Sequence, residues 1–249
     1  MNFPVSWRVI SNMKRFMQTR YRALNTSVGS LAELLSRWNR VIIVLATLVM
    51  LKVLVVILLN YVNYFPARFD TGFLAGRQSY FFGVYRWAFI VHVITGPCCL
   101  VLGRILISQS FRRKFSNTHR WLGRFHVAVV LLGLVPSGLI MANHAEYGPW
   151  SGVGLACLAL ATGIATLLGW QAAVQKRFLA HRLWMSRCFW LLCSTIFLRL
   201  MGGAAGILHW YPAWTYPLSV WLSWILPLAV YEIVRYSSKS IGNSTHNRV

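Results

Sequence analysis

The sequence predicts an all-α fold: an integral membrane helical bundle of six transmembrane helices, with both termini cytoplasmic. Three observations carry this. Of the 249 residues, 57% are hydrophobic and 12% charged, whereas a soluble domain carries about 25% charged residues. Six apolar runs each reach the ~20 residues that a helix needs to cross a bilayer. The lysines and arginines behind the net charge of +21 crowd into alternate loops, as they do in loops that stay in the cytoplasm. That placement accounts for the charge without nucleic acid as a partner.

Residues 1–40 read as a cytoplasmic basic segment. Trp7, Ile10, Met13, Met17, Tyr21 and Leu24 recur at spacings of three and four, with Arg8, Lys14, Arg15, Arg20 and Arg22 among them. This pattern describes a basic amphipathic helix lying on anionic lipid headgroups. An Arg-rich, acid-poor organelle-targeting peptide is the rival reading. No short apolar core with a small-residue cleavage site precedes the first span, so no cleavable signal peptide is expected. Ser30 to Glu33 has capping-box form and starts a short helix.

The membrane domain covers 41–235, with spans near 41–63, 82–107, 121–142, 151–171, 184–205 and 214–234. In the second span, Gly96-Pro97 predicts a bend, because proline lacks an N–H and frees the carbonyl near Val93, next to His92. In the fourth span, Gly152, Ala156, Ala159, Gly163, Ala165 and Gly169 are small residues mostly four apart. Such a face lets helices approach closely in lipid and predicts a central position. The cysteines, Cys98, Cys99, Cys157, Cys188 and Cys193, all lie in apolar runs. They read as small buried hydrophobes, with no disulfide framework. Residues 236–249 form a polar cytoplasmic tail.

The topology follows from the cations. Arg112, Arg113, Lys114 and Arg120 lie between spans two and three, Lys176, Arg177 and Arg182 between four and five, and Arg235 and Lys239 after six. The opposite loops hold only Arg68 and Arg77. Loops 108–120 and 172–183 are therefore expected in the cytoplasm with both termini.

Ionisable residues inside spans are costly and mark candidate sites. Lys52 lies near the middle of the first span, and the four acids Glu33, Asp70, Glu146 and Glu232 are all away from its depth. It either snorkels, loses its proton, or faces a polar cavity or bound anion. Arg199 lies near the outer end of the fifth span, within snorkelling reach. His119 and His181 share one depth at the cytoplasmic boundary, each opening an apolar run as His-Arg. His126 lies on the face of His119 and ~10 Å deeper; His92 lies ~15 Å below the outer surface. His144 and His209 belong to the outer face.

Three readings compete. A b-type haem between helices takes two axial histidines at similar depth, which His119 with His181 provide, and His92 with His126 more loosely. Arg120, Arg124, Arg182 and Arg187 then face its propionates, with Trp121 and Trp184 nearby. The protein would be a membrane oxidoreductase or electron carrier with a quinone or redox partner. The second reading is a transporter or binder of an anionic, lipid or quinone-like ligand, in which Lys52, Arg199 and the boundary arginines matter most. The third is a structural or regulatory component, with these residues as ordinary headgroup anchors.

The stretch from about Tyr80 to Gly203 resembles the predicted membrane proteins grouped as domain of unknown function 2306. The pieces are "FIVHVITGPCCLVLG", "THRWLGR" and "HRLWMSRCFWLLCSTIFLR". The resemblance points to His92 and Gly96, to His119, Arg120, Gly123 and Arg124, and to His181, Arg182, Trp184, Met185, Arg187 and Arg199. It implies a multi-pass protein of unassigned activity, in a bacterial cytoplasmic membrane or, for some members, a fungal one. Where this chain has His126 the family pattern tends to have tyrosine. That leaves His92, His119 and His181 as the better ligand candidates.

Overall fold

The computed structural model describes residues 41–210 and 212–246. The expected basic helix at 7–24 and the capping box at 30–33 lie outside the described residues. The chain divides into two compact units, Met1–Lys52 and Val53–Val249. Of the first unit, residues 41–52 are described, as part of helix α1 (41–59). Lys52 is exposed on that helix.

The second unit carries the rest. The described elements are helices: α2 (Gln78–Phe81), α3 (Val84–Leu106), α4 (Gln109–Lys114), α5 (Ser116–Ala128), a π-helical segment (Val129–Leu134), α6 (Val135–Ala142), α7 (Pro149–Val174), α8 (Phe178–Leu192), α9 (Ser194–Ile207) and α10 (Thr215–His246). Among the described residues, six stretches are long and apolar enough to cross a membrane: Val41–Asn63, Val84–Leu106, Ser116–Ala142, Pro149–Val174, Phe178–Ile207 and Thr215–Ser237. Three boundaries differ from expectation. The third and fifth spans start several residues earlier, and α10 continues into the polar tail as far as His246. Hydropathy falls where charges begin, but backbone hydrogen bonding does not, so each helix runs on into its charged end.

α7 holds the centre, packing against α5, α6, α8, α10 and the π-helical segment. Its small residues make this possible. A Cβ on Gly152 would lie 2.6 Å from the Ala142 carbonyl oxygen, one on Gly154 2.8 Å from Val220, and one on Gly169 2.6 Å from the Met185 sulfur.

Prolines interrupt the backbone ladder inside α3, at the start of α6 and inside α10, at Pro97, Pro136 and Pro227. Pro97 frees the Val93 carbonyl, which accepts a hydrogen bond from the Tyr61 hydroxyl. Pro136 removes the N–H that would close the α-helical turn on Leu132, and the chain widens to π-helix over Val129–Leu134. The Ser137 hydroxyl donates to the Leu134 carbonyl at 3.0 Å. Such satisfaction is obligatory where water is excluded.

At the end of the bundle away from α4, residues 64–89 fold over the start of α3 as an aromatic cap. Leu74, Phe81, Tyr85 and Phe89 are its buried core. Arg77 is buried inside it. Its Nε donates to the Phe73 carbonyl, its Nη1 to the Tyr80 hydroxyl and the His144 carbonyl, and its Nη2 pairs with Glu146 at 2.8 Å. Burial pushes the Arg77 pKa down, but Tyr85, Tyr80 and Glu146 outweigh it and the pKa ends above the ordinary arginine value. The His144 ring stacks on Tyr80 at 4.4 Å. One guanidinium thus ties the 72–81 loop to the loop after α6.

The packing sets the cost of four substitutions, each measured by thermal unfolding of the purified protein. Gly152→Ala should cost about 1–3 kcal/mol, because the atom it strikes is backbone. Gly123→Ala, where a Cβ meets nothing within 4 Å, should instead stabilise by about 0.5–1 kcal/mol. Arg77→Met, which strands several buried acceptors, should destabilise by about 3 kcal/mol or more. Glu146→Gln, with its carboxylate half exposed, should stay within about 1 kcal/mol of the parent.

Candidate functional site

The site begins with the α7–α8 turn. Lys176 adopts φ +59°, the left-handed conformation that ends a helix. Its N–H reaches the Ala173 carbonyl at 3.0 Å, and the Arg177 N–H reaches Ala172 at 2.8 Å. This is the Schellman pattern. It folds α8 straight back along α7, so His181, one turn into α8, comes level with Gly169. The two are joined by a hydrogen bond of 2.9 Å between His181 Nδ1 and the Gly169 carbonyl. With Nδ1–H as donor, Nε2 keeps the lone pair.

α5 delivers the second His-Arg phrase. Because it starts at Ser116, His119 stands on its first turn, with Gly123 and His126 following on the same face. The ends of α3 and α7, α4, α5 and the first half of α8 enclose a cavity of about 720 Å³, within the ~300–1,000 Å³ range of small-molecule sites. Arg112, Arg120, Arg124 and Arg182 line it, with His119, His126 and His181, and no Asp or Glu does. The remaining wall is largely apolar, including Leu106, Trp170, Phe178, Met185 and Phe189.

The histidines lie at different levels. His119 and His181 are partly exposed, and His126 is 1% exposed. The Nδ1 atoms of His119 and His126 are both buried with no hydrogen-bond partner. Arg120 donates to the Asn117 side chain at 2.5 Å. Among the described residues no group of three or more His, Cys, Asp or Glu is placed to hold a metal ion.

The sequence candidates therefore separate. His119, Arg120, Arg124, His126, His181 and Arg182 come together at one cavity. Trp184 and Arg187 do not line it. Arg187 donates to Glu232 on α10 at 2.6 Å and lies 4.3 Å over the Trp184 ring, while Arg235 holds the other Glu232 oxygen. These residues clamp α8 to α10. His92 stands apart, its Nδ1 3.2 Å from the Ser137 hydroxyl, about 15 Å further along the helix from His126. Arg199 is exposed on α9 and reaches back one turn to the Thr195 hydroxyl at 2.5 Å. Arg112 was not among the sequence-derived site residues and was visible only as a loop charge. Gly123, to which the family resemblance points, falls between His119 and His126 on their shared face.

Six described helices long and apolar enough to cross a membrane define a multi-pass α-helical membrane protein. The chain belongs to the family described as predicted membrane protein (DUF2306), which matches residues 89–235. The match takes in the α10 residues Glu232 and Arg235, beyond the stretch that the motifs alone delimited. No curated protein and no solved structure matches the chain.

Since Glu232 serves the clamp and not the cavity, Glu232→Gln should lower thermal stability by about 1–3 kcal/mol. Arg235→Gln, which removes the more exposed of the two arginines, should cost less than about 1 kcal/mol.

Proposed function

We propose that the cavity binds an anionic amphiphile, with its charged head among Arg112, Arg120, Arg124 and Arg182 and its apolar body against Trp170, Met185 and Phe189. The observation that carries this is one half-open cavity lined by four arginines and three histidines and, among the described residues, by no carboxylate. Headgroup anchors alone would spread over the bundle's rim. They would not bury His126 to 1% exposure beside arginines. Guanidinium forks match phosphate and carboxylate oxygens in bidentate geometry. The positive-inside pattern supports a cavity that opens to the cytoplasm, with both termini on that side, in a bacterial cytoplasmic membrane. The ligand would then enter from the inner leaflet or the cytosol, as expected for a lipid binder or transporter.

The test uses the protein in phosphatidylcholine nanodiscs and hexadecyl phosphate as the probe. Binding should weaken as salt rises. Arg120→Gln and Arg124→Gln should each weaken it about 10-fold or more, the worth of one charge-assisted contact. Gly123→Leu should fill the cavity and abolish binding while the protein stays folded. Equal binding by all these variants would remove the reading.

A second reading rests on His181. A ring held through Nδ1 by a backbone carbonyl, with Nε2 left over, is how axial histidines are oriented. Together with His119, which lines the same cavity, it would hold a b-type haem whose propionates would pair with the arginines, and the protein would pass electrons to a quinone or other redox partner. A reduced-minus-oxidised absorbance spectrum of protein expressed with haem supplied separates the two. Near-stoichiometric Soret and α bands lost in His181→Ala establish haem, and a flat spectrum from folded protein leaves the anion reading.

A further inference from the structure

His126 is the polar group that an anion site does not explain. Its ring lines the cavity, is 1% exposed and carries an Nδ1 with no partner. A neutral imidazole has one donor and one acceptor. An alkyl chain at that depth would leave the ring nitrogen as unpaired as it is now. A hydroxyl or carbonyl would pair it.

The space one turn above it is open. Gly123 stands one turn above on the same face, and a Cβ there would meet nothing within 4 Å. Arg124 leaves α5 only two positions before His126, an axial rise of ~3 Å. Both line the same cavity, so a group bonded to His126 sits deeper in it than an anion held among the arginines. Glycerol phosphate esters place a hydroxyl or ester carbonyl just beyond their phosphate; simple alkyl phosphates and fatty acids carry nothing there.

We infer that the cavity's ligand is an acyl glycerol phosphate, its phosphate on the arginines and its glycerol hydroxyl or ester carbonyl on His126. This rests on the anion reading of the cavity and adds to it a residue that reads the ligand's second polar group. His126 is then a specificity determinant, and sites built to hydrogen-bond a group discriminate strongly against analogues lacking it.

The experiment compares 1-oleoyl lysophosphatidate with hexadecyl phosphate, each titrated into the protein in phosphatidylcholine nanodiscs. Wild type should prefer lysophosphatidate by about 10-fold or more. In His126→Leu the preference should fall to about twofold or less. His126→Gln, which keeps a donor and an acceptor, should retain part of the preference. Thermal unfolding checks that each variant is folded, and if His126→Leu fails to fold, the comparison of wild type with His126→Gln and His126→Phe decides. Equal binding of both probes by wild type, or an unchanged preference in a variant without ring nitrogens, overturns the inference while leaving the anion site standing. Failure of wild type to bind either phosphate overturns both.

Discussion

The close approach of α7 and α8 is the constraint on which the rest depends. Gly169 permits it, since a Cβ there would lie 2.6 Å from the Met185 sulfur and 3.4 Å from the Trp184 Cβ. The same residue's carbonyl receives the His181 ring. One small residue therefore sets the helix spacing, aligns a histidine and keeps Met185 in the cavity wall. In a bilayer, where apolar burial between helices gains little over lipid, such close contacts and hydrogen bonds carry the association.

The basic residues show how one residue type takes on two roles according to what faces it. The chain has four acidic residues in all. Glu146 is committed to Arg77 in the aromatic cap, and Glu232 to Arg187 and Arg235 between α8 and α10. Neither these two nor Asp70 lines the cavity. The excess of positive charge is therefore more than a topology signal. At the cavity it becomes a concentrated field with no internal carboxylate to neutralise it, in a place of reduced dielectric where such fields are felt most.

Much of this was legible in the sequence because lipid imposes a strong rule. Six runs of sufficient length had to be helices, and the two His-Arg phrases, both opening spans at the same membrane face, were within reach of each other. The cavity itself was less legible. Along α8, His181, Arg182, Met185 and Phe189 turn toward it while Trp184 and Arg187 turn elsewhere. A short motif containing both sets cannot be divided until the packing partner of each face is known. Glu232, distant by 45 positions from Arg187, settles that division, and nothing local to either residue announces the pair. The early starts of α5 and α8 were hidden for a different reason. Hydropathy records charges, and the first turns of both helices carry the charges that serve the site.

The repair of the Pro97 break has a consequence for what counts as the autonomous unit of this protein. The family match begins at Phe89, within α3, yet the carbonyl freed at Val93 is satisfied by Tyr61, at the end of the first span. A fragment trimmed to the recurrent core would carry a bare acceptor into hydrocarbon, where no water can reach it. The compact unit that contains the cavity accordingly begins at Val53, well upstream of the family boundary. The shared segment is thus a part in search of its neighbours, and what completes it here is a single phenolic hydroxyl contributed by a region that the family does not define.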